Sequence, residues 1–387
     1  MISKRASEFT SFIVMDVMAK AEELERAGEN VIHLEVGEPD FPTPRVITEA
    51  AIAALQNNKT RYTHSLGLLE LREAICDFYF NEYGVSIIPD QILVSTGTSP
   101  ALLFVMLALL DHGDEVIISN PRYPCYQNFI SAAGGKLKEI KTFPEEGFQY
   151  RPNDIEKSLS HKTKGIIINS PFNPTGIVMT PAQLQHIAQF EGQYIISDEI
   201  YHGLVYEGKA HSILEFTDQA FVINGFSKLY AMTGWRLGYC IFPREFTKVM
   251  QRIHQNFMIS ANGFIQWAGI AALTQATDDV AAMRTTYDER RRYMLGRLSA
   301  MGFTIHVEPT GAFYVFADAR RFCTDSYKEA FRIIEEVKVG VSPGIDFGSS
   351  GEGFLRFSYA NSLANIEEGL NRLENYLSKH SCTTPKC

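Results

Sequence analysis

The sequence predicts an α/β fold: a large domain built on a mostly parallel sheet flanked by helices, plus a smaller α+β domain. Two patterns predict it. Between residues 91 and 242, short apolar and β-branched runs alternate with helical stretches. Strands that are apolar on both faces belong to sheets covered on both sides. Near residue 280 this alternation stops, and a charged helix leads into a differently patterned region. A chain of 387 residues is long enough for about two domains.

Taken in order, Val17, Ala21 and Leu24 have helical spacing and predict a helix over Asp16–Gly28, closed by a glycine. A strand at Val31–Val36, a Gly/Pro-rich turn at Gly37–Pro44 and a helix at Val46–Leu55 follow. Strands are expected at Gln91–Ser95, Glu115–Ser119, Gly165–Asn169, Tyr194–Ser197, Phe221–Asn224 and Gly238–Phe242. The helices between them include Pro100–Leu110, Tyr123–Ala133 and Pro181–Gln189. The second region should hold a helix at Thr285–Met301, apolar runs at Phe303–Val307 and Ala312–Phe316, and a helix at Lys328–Val337. It should end with a strand at Gly353–Phe357 and a helix at Leu363–Lys379. The division expected is 1–44 for an N-terminal arm and part of the small domain, 45–280 for the large domain and 281–387 for the small C-terminal domain.

Hydrophobic residues make up 45% and charged residues 21%, which excludes a disordered or collagen-like chain. The formal net charge is −9, a poor match to general nucleic-acid binding. The longest apolar run, Ala101–Leu110, is too short for a membrane span. Cys76, Cys125, Cys240, Cys323, Cys382 and Cys387 form no Cys-x-x-Cys pair, so reduced thiols in a cytoplasmic protein are expected. No pair of histidines has the spacing of a metal site.

Ligands of open α/β sheets sit beyond the carboxyl ends of the strands, and chemistry collects there in this chain. Ser95-Thr96-Gly97-Thr98-Ser99-Pro100 opens into a helix, either as an ordinary cap or as an anion site made of backbone N–H groups. The next ends carry Tyr123, which could cover a flat ring or simply pack, and then Asn173-Pro174-Thr175-Gly176, turn residues in their own right. Asp198-Glu199-Ile200-Tyr201 puts a carboxylate and a phenol at a strand end. Ser227-Lys228 and Arg236 follow the last runs. A backbone anion site, an arginine, an aromatic face, a carboxylate, a phenol and one amine together suit pyridoxal 5'-phosphate. Its aldehyde forms a Schiff base with lysine, and its ring nitrogen must stay protonated.

These segments, with Gly37-Glu38-Pro39-Asp40-Phe41, Arg61-Tyr62-Thr63, Gly234-Trp235-Arg236-Leu237-Gly238 and Leu355-Arg356-Phe357-Ser358, resemble the class I/II aminotransferases of the fold-type I pyridoxal-phosphate enzymes over nearly the whole chain. The resemblance implies a seven-stranded-type sheet and a small domain built from both termini. It implies that Lys228 is the Schiff-base lysine and proton carrier and that Asp198 pairs with the ring nitrogen. Tyr201 and Asn173 would bond the ring's 3-oxygen, and Tyr123 would stack on the ring. Gly97, Thr98, Ser99, Ser227 and Arg236 would hold the phosphate, joined by Tyr62 from a second subunit of a homodimer with shared active sites. Arg356 would clamp the substrate α-carboxylate, with Gly37 and Asn173 beside it. Some aspartate-specific members place a lysine where this chain has Ser99, which argues against a strict aspartate enzyme. Arg122 and His202 flank the site segments and are expected as solvated charges rather than as readers of a second carboxylate. The implied activity moves an amino group between an L-amino acid and a 2-oxo acid. The alternatives are a pyridoxal-phosphate carbon–sulfur β-lyase and a non-catalytic ligand sensor.

Overall fold

The computed structural model describes residues 2–380. The polar tail Ser381–Cys387, with Cys382 and Cys387, lies outside the described residues. The strands in chain order are β1 (Ile32–His33), β2 (Ile92–Ser95), β3 (Glu115–Asn120), β4 (Lys136–Lys141), β5 (Thr163–Asn169), β6 (Tyr194–Asp198), β7 (Ala220–Gly225), β8 (Gly238–Ile241), β9 (Tyr314–Asp318), β10 (Val339–Gly340), β11 (Ser342–Pro343) and β12 (Phe354–Ser358).

Seven strands form the main sheet in the order β2-β8-β7-β6-β5-β3-β4. Strands β3 to β7 are mutually parallel, and β8 lies antiparallel between β2 and β7. The continuous apolar runs arise because both faces are buried. Along β5, Ile166 and Ile168 enter one hydrophobic core and Ile167 enters the other, the alternation that a strand imposes. Helix Thr98–Leu109 buries Leu102, Val105 and Met106 in the second core. Each fully buried aliphatic side chain there contributes about 1.5–3 kcal/mol.

A three-stranded antiparallel sheet, β11-β12-β9, and a two-stranded parallel pair, β1-β10, make the second layer. The pairing of β1 with β10 ties the start of the chain to its last third. Helix Ile13–Arg26 seals that junction by packing Val17 and Ala21 with Val31 and Ile334. Its N-cap residue, Phe12, supplies no side-chain cap. Asp346 does so from afar: its carboxylate accepts from the Ile13 N–H at 2.9 Å and the Val14 N–H at 3.1 Å.

Several elements depart from expectation. The strand expected at Val31–Val36 is only Ile32–His33, because β10 offers two partners and the chain then turns away to deliver Gly37. Phe303–Val307 forms no strand, only an isolated bridge between Thr304 and Asp318. The helix expected from Thr285 starts at Thr277, where Asp278 and Asp279 favour a helix N-terminus. The one expected over Tyr123–Ala133 is Tyr126–Ala132. Helices Leu69–Tyr83, Thr247–Phe257 and Gly263–Gln275 and the edge strand β4 are additional. No helix among the described residues is long and apolar enough to cross a membrane.

Candidate active site

The carboxyl ends of the parallel strands open onto a cavity of about 360 Å³. Its lining includes Gly37, Thr98, Ser99, Tyr123, Asn173, Asp198, Tyr201, Ser227, Lys228, Arg236 and Arg356, residues far apart in the chain that the topology gathers.

Asp198 is the last residue of β6 and is buried. Tyr126 donates to its Oδ2 at 2.7 Å and the Ile200 N–H donates to its Oδ1 at 3.2 Å. Burial raises its pKa to about 6, against the pull of these bonds and of Lys228. Lys228 follows β7 and donates from Nζ to the Gly37 carbonyl at 2.6 Å. Removal from bulk water lowers its amine to about 8; Glu38 and Asp198 oppose that shift, and Arg356 and Arg236 add to it.

Arg236 adopts a left-handed backbone (φ 55), which costs a non-glycine residue about 1–3 kcal/mol. Its guanidinium lies against Gly97. Gly97 itself has φ +90, and a Cβ there would stand 2.5 Å from Arg236 Nη2, so glycine serves both the backbone and the approach. Gly97 heads helix Thr98–Leu109, whose first N–H groups and dipole favour an anion beside Arg236.

Arg356 on β12 is buried and held on two sides. Its Nη1 donates to Asn173 Oδ1 at 2.9 Å, and its Nη2 donates to the Glu35 carbonyl at 2.6 Å and to Ser342 Oγ at 3.0 Å. Its Nε is buried with no hydrogen-bond partner, a costly state that an incoming anion would relieve. The guanidinium also lies 4.2 Å from the Tyr314 ring centre. Tyr314 shapes this corner. Its hydroxyl is 2.8 Å from that of Tyr201, and a Cβ on Gly37 would collide with it.

Arg122 and His202 are buried, not solvated, and neither lines the cavity. Arg122 pairs with Glu139 at 2.6 Å. His202 bonds Tyr83 at 2.9 Å, and burial lowers its pKa to about 3, so it is a neutral core imidazole. Beside it Glu199 is buried and raised to about 8 by desolvation, with Ser197, Ser212 and the Ile213 N–H donating to Oε1. Tyr62 is 81% exposed and lies outside the cavity lining of its own chain. Cys76, Cys125, Cys240 and Cys323 are free thiols. Tyr126, Tyr314, Glu38 and the apolar group Phe12, Val14, Met15 and Met18 also line the cavity. Their spacing alone marks nothing beyond core or turn.

The chain matches the family model for "Aminotransferase class I and II" over residues 29–373. It is 45% identical over 383 residues to (5-formylfuran-3-yl)methyl phosphate transaminase of Methanocaldococcus jannaschii, covering 98% of this chain and 100% of that one. It is 40% identical to an aspartate aminotransferase of Thermotoga maritima, again covering 98% and 100%. The solved structure of Thermus thermophilus aspartate aminotransferase with maleate superposes with a TM-score of 0.93 at 37% identity, covering 97% of this chain and 99% of that one. These similarities support amino transfer and lend nothing to the lyase alternative.

Proposed function

The chain belongs to the class I and II aminotransferases, and from that membership we propose how its own residues run the reaction. The protein moves an amino group between an amino acid and a 2-oxo acid, with pyridoxal 5'-phosphate as cofactor. When bound, that cofactor supplies an aldehyde that condenses with amines and a protonated ring that accepts the electron pair released at the substrate's α-carbon.

The residues suit that group chemically: an amine at Lys228, a buried carboxylate at Asp198, and a guanidinium and helix start at Arg236 and Gly97. The observation that carries the reading is Lys228, whose amine is lowered to about 8 while it shares one cavity with Asp198 and Arg356. Lys228 Nζ would attach the cofactor and, once free, take the substrate's α-proton and deliver it to the cofactor's aldehyde carbon. Asp198 would hold the ring-nitrogen proton, with Tyr126 fixing the carboxylate from behind. Arg236, Ser227, Thr98, Ser99 and the Gly97 turn would bind the phosphate. Tyr123 would cover the ring, and Tyr201 and Asn173 would donate to its 3-oxygen. Arg356 would bind the substrate α-carboxylate with Gly37 and Asn173 beside it, and its unpartnered Nε supports this role. Burial raises the Tyr201 phenol well above its usual range and keeps it a donor.

A half-reaction tests the assignment. One equivalent of amino acid should consume the visible absorbance of the loaded enzyme and release one equivalent of 2-oxo acid. A different 2-oxo acid should restore it. Release of ammonia with pyruvate would instead indicate elimination.

We also assign the division 1–44, 45–280 and 281–387, a cytoplasmic setting and a homodimer with shared sites. Tyr62 supports the dimer: it is a large, exposed aromatic on a loop, chemically suited to a phosphate in a neighbouring chain. Hybrid dimers of one Lys228→Ala and one Tyr62→Phe subunit test this. The Tyr62→Phe subunit keeps its lysine and should recover wild-type cofactor affinity by borrowing its neighbour's tyrosine. Affinity as weak as in the Tyr62→Phe homodimer would mean that Tyr62 acts within its own chain or not at all.

A further inference from the structure

We propose, resting on the aminotransferase reading, that the preferred substrate carries an uncharged, apolar side chain, and that Phe12, Met15 and Met18 select it. Among the described residues that line the cavity, the cations are Lys228, Arg236 and Arg356. The roles above engage all of them, with the carbonyl carbon, the cofactor phosphate and the α-carboxylate. Within this one chain, a second carboxylate on the substrate would meet no uncommitted cation of this lining.

The wall that the N-terminal helix supplies is apolar. Phe12, Val14, Met15 and Met18 come from the start of helix Ile13–Arg26, and Leu102 from helix Thr98–Leu109. Phe12 is fixed edge-on to Tyr123, with ring centres 5.8 Å apart and planes at 86°. The methionines are unbranched and polarisable, able to fit side chains of varied shape. The remaining acidic group is Glu38, which accepts from Thr233 Oγ1 and would repel a distal carboxylate.

A helix start facing a cavity would ordinarily attract an anion. Here the N–H groups of Ile13 and Val14 already donate to the buried Asp346 carboxylate at 2.9 and 3.1 Å. Asp346 therefore removes the one polar attraction this helix could offer and pins the apolar wall in place. Against this helix a distal carboxylate would lose its hydration and gain no partner, whereas an aromatic or branched aliphatic side chain would bury apolar surface there.

The test compares phenylalanine, leucine, alanine and aspartate in the half-reaction of the loaded enzyme. Titration calorimetry of the unreactive acids 3-phenylpropionate and succinate runs beside it. Phenylalanine should exceed aspartate in kcat/KM by at least about tenfold, and 3-phenylpropionate should bind more tightly than succinate. Phe12→Ala and Met18→Ala should each lower the phenylalanine-to-alanine ratio of kcat/KM. Met18→Arg should raise the aspartate-to-alanine ratio. Aspartate equal to or better than phenylalanine in the wild-type enzyme, with succinate binding as well as 3-phenylpropionate, would overturn the proposal. So would an unchanged phenylalanine-to-alanine ratio in both alanine variants. If no amino acid is converted, the aminotransferase reading itself fails, and the order of the two unreactive acids still decides the nature of the wall.

Discussion

Lys228→Ala should lose at least about 10⁴-fold in turnover, since a positioned acid–base group alone contributes about 10²–10⁴ and the attachment point is lost as well. The protein should stay folded and retain the cofactor without a covalent link, because Asp198, Arg236 and the helix start beside Gly97 are untouched. Equilibrium dialysis measures that retention, and the loaded variant should lack the visible absorbance of the attached cofactor. In wild type, borohydride reduction should leave the pyridoxyl group on Lys228; a tag on any other lysine overturns the assignment. The pH dependence follows from the amine being lowered to about 8. Only the neutral amine attacks a carbonyl, so attachment to the cofactor-free protein should slow about tenfold per pH unit below 8 and level off above it. At pH 7 about a tenth of the amine is neutral, against well under about a thousandth for an unperturbed lysine. A rate still climbing at pH 10 would mean that burial does not tune this group.

The core of the fold was legible because the sheet is covered on both faces. The runs in β2, β3 and β5 to β8 are apolar at successive positions, and each position enters one core or the other. The edge strand β4 was not, because Lys136-Leu137-Lys138-Glu139-Ile140-Lys141 has one neighbouring strand and carries charges that guard an open edge. Helix Gly263–Gln275 is apolar nearly all round and buries Gly263, Ile265, Ala268, Gly269, Ala271 and Ala272. With no polar face it has no amphipathic period to detect.

The cavity was legible where a residue sits at a strand's carboxyl end or within a few positions of it, as Asp198, Lys228 and Ser99 do. It was opaque where tertiary contact alone makes the role. Tyr126 stands within a predicted helix, and its hydroxyl reaches a carboxylate 72 positions later. Tyr314 lies in an apolar strand and touches Gly37 and Tyr201 only through the fold. Arg122 and His202 mislead for the opposite reason. Neighbourhood in sequence suggested exposed cations, while burial beside Glu139 and Tyr83 gives each a partner outside the cavity.

Asp198→Asn should separate catalysis from stability more sharply than any other substitution here. Removing one partner of a buried charge pair costs about 3–5 kcal/mol, so turnover should fall about 10²–10⁴-fold. The asparagine keeps an oxygen to accept from Tyr126, so the loss reports the charge rather than the packing. Without cofactor the sign reverses. Burial raises the Asp198 carboxyl from 3.8 to about 6, so the folded chain binds its proton more tightly than the unfolded chain does. Stability of the cofactor-free protein should therefore fall as pH rises from about 4 to 6 and stay low above that. The shift corresponds to about 3 kcal/mol, an upper figure for one buried group. Cofactor-free Asp198→Asn, with no charge to bury, should lack this loss and melt higher than cofactor-free wild type at pH 7.5. With cofactor bound the order should invert, because only wild type gains the ion pair with the ring nitrogen. Thermal melts of both proteins, with and without cofactor, at pH 4.5 and 7.5 measure this crossing. A variant that melts below wild type in every condition would make Asp198 a structural carboxylate, and turnover within tenfold of wild type would remove it from the reaction.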